Sequence, residues 1–371
     1  MRIAAFNVEN LFDRAKAFEE PPSISSAIQK DMAELNSLFE QVSYSAADKQ
    51  RMIALISALG LRKSDTGPFV ILRVLRGKLL KRPQQGPIEI VADGRDDWVG
   101  WAELKTAPVN AVAIMNTGRV IRDIDADILA VIEAESRPVL KLFSEVVLKE
   151  VGGQIYEQVM VIDGNDDRGI DVGLMTKRGH CIDMMRSHIH DAAPGGGSIF
   201  SRDCPEYAVK SPQGETFWIL PNHFKSKFGG NDTSSKAKRL AQAHRTAQIY
   251  NDLRAKGHDN VVVLGDLNDT PTSAELAPLL GQTDLRDVSQ HPTFDTGEFA
   301  GTGTFGLGND GNKIDYLLLS PALFGRVQAA GLFRKGAWPG KSPKRWTVYP
   351  ELVHEVHVAS DHHVIWADIG P

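Results

Sequence analysis

The 371-residue chain sets carboxylates, amides and imidazoles at the ends of apolar runs. Asn7 and Glu9 follow Ile3-Ala-Ala-Phe6, and Glu133 follows Ile128-Leu-Ala-Val-Ile132. Asn222 and His223 follow Phe217-Trp-Ile-Leu220, and Asp266 and Asn268 follow Val261-Val-Val-Leu264. Asp315, Asp361 and His362 complete the set. Runs of this kind read as buried strands, which deliver polar groups to one rim of a rigid scaffold. Oxygen donors without thiolates suit a hard cation, Mg²⁺ or Mn²⁺, and such cations accompany phosphate chemistry. Cleaving a phosphodiester needs an aimed and deprotonated water, countered charge on the phosphoryl oxygens, a stabilised leaving oxygen and a fixed substrate.

Each residue also has a plainer reading. A carboxylate after five apolar residues, as at Glu133, is costly to leave unpaired. Its partner is either a cation or a lysine or backbone amide at the rim. Asn7 alone reads as a turn residue. Glu9 shares its side in an extended chain and is a secondary ligand candidate. The i, i+2 spacing of Asp266 and Asn268 turns both side chains to one side of an extended segment. One then handles water while the other fixes it or the phosphate, and the local competitor is an Asx-turn leading into Pro271. Adjacent strand residues face opposite ways, so Asp361 does not orient His362, and His363 points away from it. His188, His190, His362 and His363 lack a matching Cys/His pair, which makes zinc the poorer metal.

Six segments carry a family resemblance. Phe6-Asn-Val-Glu-Asn10, Val131-Ile-Glu133, Asn222-His-Phe-Lys-Ser-Lys227, Gly265-Asp-Leu-Asn268, Lys313-Ile-Asp-Tyr316 and Ser360-Asp-His362 occur in this order. Together they resemble the endonuclease/exonuclease/phosphatase superfamily, which includes the pancreatic-type deoxyribonucleases. The resemblance covers residues 1–17 and about 106–371. It implies a four-layer α/β sandwich of two packed mixed sheets flanked by helices. It implies that Asn7, Glu133 and Asp361 serve the metal, beside the secondary candidate Glu9, and that Asp315 orients His362. His223 then stands near the leaving group, a feature that leans toward the deoxyribonuclease-like branch, with Asn222 beside it at the phosphate. Asp266 and Asn268 take the water and phosphate roles. Arg168, within Arg168-Gly-Ile-Asp-Val172, is a phosphate contact or the partner of Asp166 or Asp167 in a surface pair.

The activity so implied is a Mg²⁺- or Mn²⁺-dependent nuclease on DNA or RNA, working without a covalent intermediate. Hydrolysis of a small or lipid-borne phosphate ester is the alternative. A non-catalytic module on the same fold is the third reading, and the presence of the full residue set argues against it. Membrane-active relatives carry an exposed aromatic hairpin, and the loop from Phe333 to Gly340 is the segment to compare with it.

Strands and helices alternate as in an α/β protein. Helices are expected over Asn110–Ile124, Arg137–Val151 and from an Asp232 cap to Lys256, the last with a stripe of Leu240, Ala243, Ala247, Tyr250 and Leu253. Strands are expected near 157–162, 169–176, 260–265, 313–319 and 363–369. Gly297–Gly311 favours turns. Residues 18–105 read as an inserted, mainly helical segment within one 1–371 domain. Helices run from Ile28 to Phe39 and Ala46 to Leu59, and a strand from Phe69 to Leu75. Arg62, Lys63, Arg73, Arg76, Lys78, Lys81 and Arg82 make the insertion locally basic, as a solvated face or a phosphate surface. The net charge of −5 gives no global attraction to nucleic acid. Two cysteines, Cys181 and Cys204, make no disulfide framework. A strand starting at Arg2 leaves no room for a leader and no apolar run is long enough to span a bilayer, so a cytoplasmic protein is expected.

Overall fold

A computed structural model of the protein describes residues 1–9, 16–83, 86–106, 110–166, 169–227 and 233–371. The chain divides into two compact units, Met1–Phe12 with Val109–Pro371, and Asp13–Pro108.

The larger unit holds two mixed sheets. In order of hydrogen-bonded neighbours the seven-stranded sheet runs Phe294–Asp295, Val327–Phe333, Val364–Ile369, Arg2–Asn7, Ile128–Ala134, Asp171–Thr176 and Gln158–Ile162. The six-stranded sheet runs Arg286–Asp287, Asp315–Leu319, Val261–Asp266, Thr216–His223, Glu206–Lys210 and Cys181–Arg186. Ile3, Ala5, Ile128 and Ala130 of the first sheet pack against Phe217, Ile219, Val262, Leu264, Leu317 and Leu319 of the second. The first sheet's other face, with Ala4, Phe6, Leu129 and Val131, is covered by the helix Ala111–Ile124 and by Leu140, Phe143 and Leu148. The second sheet's other face, with Trp218, Leu220, Val261 and Val263, is covered by the helix Thr233–Ala255. Both faces of the central strands are buried, which is why these strands read as unbroken apolar runs. Each fully buried Val, Leu or Ile contributes about 1.5–3 kcal/mol.

The helices and strands expected in this unit are present. The 137–151 helix is split, continuing beyond Arg137–Leu142 as a π-helical stretch, Phe143–Leu148. The Asp232 cap lies outside the described residues. The long helix corrects one expectation. Leu240 is 44 % exposed, while Arg239, Gln242 and Thr246 are fully buried beside Ala243, Tyr250 and Leu253. Its inward face is therefore partly polar: Ala243, Ala247, Tyr250 and Leu253 are buried as expected, and Leu240 alone of the stripe is not.

The smaller unit has its own core around Leu35, Phe39, Met52, Ile56 and Trp98. Its helices span Pro22–Phe39 and Ala46–Ala58, the second opened by a Ser45/Asp48 capping box. Gly60, at φ +73°, ends that helix. The expectation of a mainly helical segment is incomplete. Val70–Gly77 pairs antiparallel with Trp98–Leu104, and Leu80–Lys81 with Glu89–Ile90. Gly100 and Glu103 dilute the apolar alternation that would have announced the partner strand.

Candidate active site

Side-chain alternation extends the inter-sheet core into a polar end. Val262 and Leu264 face the core, so Asp266 faces the same gap. The same parity carries Phe217 and Ile219 to His223, Leu319 and Leu317 to Asp315, and Ile3 and Ala5 to Asn7. Strand register then aligns His223 with Asp266, and Asp266 with Asp315, in one row across three strands.

Asp266 is the hub. Its Oδ2 accepts from Asn7 Nδ2 at 3.2 Å and Asn268 Nδ2 at 3.0 Å, and its Oδ1 accepts from the Asn268 amide at 2.8 Å. The same Oδ2 stands 3.7 Å from His223 Nε2 and 4.0 Å from His362 Nε2. His362 Nδ1 is 2.8 Å from Asp315 Oδ2, so this nitrogen carries the proton and donates it. Asp361 Oδ1 is 3.8 Å from His362 Nε2, on the other side of the ring. His362 is thus oriented by Asp315 and not by its chain neighbour. His363 is structural: Arg334 Nε donates to its Nδ1 at 3.0 Å, and its Nε2 donates to the Gly306 carbonyl at 3.0 Å.

Glu133 arrives by a different route. Alternation alone would turn it to the helix-covered face. A bulge between Ile132 and Ala134, with Glu133 at φ +68°, re-aims it, and its Oε1 lies 3.8 Å from His223 Nε2. Glu9 is also in left-handed backbone, at φ +50°, so the extended chain assumed for it does not exist. Its amide donates to Asn7 Oδ1 at 3.1 Å, and its Oε2 accepts from the Asp361 amide at 3.0 Å. Asn268, at φ +53°, is not extended either; its Asx-turn onto Asp266 exists together with a bond from its Nδ2 to the Phe224 carbonyl at 3.2 Å.

Asn222 is a correction. Its side chain points to the helix layer, where Thr246 Oγ1 donates to its Oδ1 at 3.2 Å and its Nδ2 donates to the Leu220 carbonyl. Adjacent strand residues face opposite ways, so His223 and Asn222 cannot both reach the row. Arg168 lies outside the described residues. His188 makes no zinc-type set: it bridges Glu206 Oε1 at 2.6 Å and Asp191 Oδ2 at 3.0 Å.

Two residues escaped the sequence reading. Thr304 Oγ1 accepts from the Ile314 and Asp315 amides at 3.1 and 2.8 Å, fixing the start of the Asp315 strand. Ser360 Oγ donates to the Asn7 carbonyl at 2.7 Å and accepts from the His362 amide at 2.9 Å, tying two rims together. Ser360 stood inside a recognised cluster; Thr304, in a glycine-rich loop, gave no signal.

The electrostatics are those of crowded acids. Burial, then Asp315, pushes Asp266 up to about 7. Burial, then Asp361, pushes Glu9 up to about 7. Asp361 is raised by burial and by Glu133. Burial opposes charge on His362, but Asp315 overcomes it and holds the imidazole well above its ordinary value. Asp361 Oδ1 is buried without a hydrogen-bond partner among the described residues. An orphaned carboxylate oxygen among mutually repelling acids fits a hard cation. Asp266, Asp315 and His362 also offer donor atoms within 4.8 Å of one another, but His362 Nδ1 is already committed to Asp315.

A family model described as Endonuclease/Exonuclease/phosphatase family matches residues 88–333, about two thirds of the chain. No curated protein matches the sequence. Among solved structures, the human Nocturnin catalytic domain with bound sulfate is 15 % identical at TM-score 0.49, covering 70 % of this chain and 88 % of that one. The Bacteroides thetaiotaomicron mannosyl-6-phosphatase is 15 % identical at TM-score 0.47, with coverage of 70 % and 90 %. Truncated Caenorhabditis elegans TDP2 is 14 % identical at TM-score 0.46, with coverage of 70 % and 92 %. None of these likenesses bears on this chain's substrate.

Proposed function

Because the chain belongs to the endonuclease/exonuclease/phosphatase family, whose members hydrolyse phosphoester bonds, we propose that it is a metal-dependent phosphodiesterase that cleaves nucleic acid, DNA foremost and RNA as well. One observation supports this most: Asp266 Oδ2 stands within 4.0 Å of two imidazole nitrogens of different histidines, one of them paired with its own carboxylate. Asp266, its lone pairs aimed by Asn7 and Asn268, takes the proton of the attacking water. His362, basic through Asp315, faces the phosphoryl oxygens with Nε2 and counters their growing charge. His223 protonates the leaving oxygen. Glu133, Asp361 and Glu9, with Asn7 in support, would hold the cation. A bound Mg²⁺ or Mn²⁺ supplies charge neutralisation at the phosphoryl group.

Trp338 packs against the helix-side core rather than standing out as an aromatic hairpin, which gives the lipid-borne reading no support. Among the described residues no helix is long and apolar enough to cross a membrane.

The test is a substrate panel. Supercoiled plasmid, linear duplex, single-stranded DNA, RNA, bis(p-nitrophenyl) phosphate and a phosphate monoester are incubated with Mg²⁺, Mn²⁺ or chelator. Metal-dependent plasmid nicking is expected. Phosphate release from the monoester with intact nucleic acids would overturn the nuclease reading.

A further inference from the structure

The segment that follows His223 is held more firmly than a strand exit requires. The Phe224 carbonyl accepts from Asn268 Nδ2 at 3.2 Å and from Arg202 Nη2 at 2.7 Å. The Lys225 amide donates to Gln242 Oε1 at 2.8 Å, and its carbonyl accepts from Arg239 Nη1 at 3.2 Å. Gln242 and Arg239 lie on the buried face of the long helix, where the sequence predicted an apolar stripe. Arg239 Nε donates to Asp269 Oδ2 at 2.9 Å, with side-chain exposures of 0 % and 4 %. Asp269 directly follows Asn268, so this buried pair locks the His223 exit to the Asp266 exit. The other oxygen of Asp269 accepts from the Thr270 amide at 2.9 Å and meets the Lys227 ammonium.

A buried ion pair does little for stability compared with apolar side chains of similar volume. Its geometric effect is the larger one. One carboxylate here faces two cations. Arg239 already neutralises Asp269 out of water, so Lys227 adds a positive charge that is fixed in place. The Lys227 side chain is 38 % exposed, so solvent reaches it although its ammonium meets Asp269. Four residues from His223, it reaches at most about 13 Å along the chain. Arg202, which holds the Phe224 carbonyl, also pairs with Asp166 at 2.9 Å, and burial, then Arg202 and Lys225, lowers the Lys238 ammonium below its ordinary value. The row at the strand ends is the reverse, with Glu9, Glu133, Asp266, Asp315 and Asp361 against two imidazoles. The cation that row would hold serves the scissile phosphate, and further phosphates of a polyanionic substrate need positive charge beside it.

We infer that Lys227 binds a phosphate flanking the scissile one, with Asp269 and Arg239 as its positioning residues, so that the site selects phosphodiester chains over isolated esters. This rests on the phosphodiesterase reading above. Immobilising the lysine before the substrate arrives removes rotamer entropy from the binding step.

The experiment compares steady-state hydrolysis of a single-stranded oligonucleotide and of bis(p-nitrophenyl) phosphate, which carries no flanking phosphate. Lys227→Gln should raise KM for the oligonucleotide about five- to tenfold with kcat within about twofold. The small diester should show unchanged constants. The slope of log KM against log salt should fall by about 0.7, one phosphate contact on a single strand. Lys227→Arg should keep the wild-type values. Asp269→Asn separates placement from simple field. Removing a negative charge would tighten anion binding by field alone, whereas loss of placement weakens it, so KM should rise. Unchanged oligonucleotide KM in Lys227→Gln, or an equal rise on the small diester, overturns the inference; a lower KM in Asp269→Asn overturns the positioning role. Should Asp269→Asn not fold, the Lys227 variants decide alone. Failure of the wild type to cleave either substrate would instead defeat the phosphodiesterase reading.

Discussion

Asp315 Oδ2 stands 2.8 Å from His362 Nδ1, while the chain neighbour Asp361 keeps its Oδ1 3.8 Å from the opposite nitrogen of the same ring. The two carboxylates flanking one imidazole therefore do different things. One sets the tautomer and raises basicity; the other keeps an oxygen with no hydrogen-bond partner among the described residues.

This division has a kinetic consequence. Asp315 acts through His362, so losing both should cost little more than losing His362 alone. Turnover of His362→Ala, Asp315→Asn and the double variant gives the cycle. Independent, multiplicative losses would show that the pair is not a unit.

Metal-free stability should depend on pH in a stated direction. Asp266 and Glu9 sit at about 7 in the fold against ordinary values of 3.8 and 4.5. A carboxyl whose folded value is raised stabilises the fold when protonated. That contribution is complete below about pH 4 and is lost as pH rises through 7. Between pH 5 and pH 8 in chelator, urea unfolding should therefore lose about 2 kcal/mol or more. Adding Mg²⁺ at pH 8 should restore part of it. A free energy of unfolding that is flat or rises over this range contradicts the crowded-acid description.

Gly265 should tolerate no side chain. Its φ is +121°, and a Cβ there would lie 2.2 Å from the Asn222 carbonyl oxygen of the paired strand. Gly265→Ala should cost about 2 kcal/mol or more, because the clash is with backbone. It should also lower turnover, since the next residue is Asp266. An unchanged melting temperature would refute this.

The basic insertion gives a sharper test than its sequence alone did. Arg73 is paired with Glu103, and Arg82 with Asp65, so their charges are partly spent. Arg62, Lys63 and Lys78 are exposed and are the residues to neutralise. If they contact phosphates, the triple Gln variant should raise KM on plasmid and flatten its salt dependence, leaving the small diester unaffected. Equal constants at every salt concentration would make the stretch a solvated face.

Much of the site was legible because strand parity is legible. Asn7, His223, Asp266 and Asp315 each continue the core-facing alternation of an apolar run, and the order of the six segments carried the family. Three features were not. The bulge that re-aims Glu133 leaves no mark in the sequence, where alternation alone turns Glu133 to the helix-covered face. Asn222 went astray because a motif names neighbours, while a strand turns neighbours apart. Leu240 was misplaced because an apolar stripe does not foresee a helix that buries Arg239 and Gln242 to hold a loop.

Divalent-ion binding measured by calorimetry on the wild type and Glu133→Ala, alongside their turnover on plasmid, bears most directly on the central claim. Glu133→Ala should bind Mg²⁺ or Mn²⁺ at least about tenfold more weakly and lose turnover by two or more orders of magnitude, with its circular dichroism unchanged. Wild-type turnover in excess chelator, or a Glu133→Ala protein that binds the ion and cleaves plasmid normally, would contradict it.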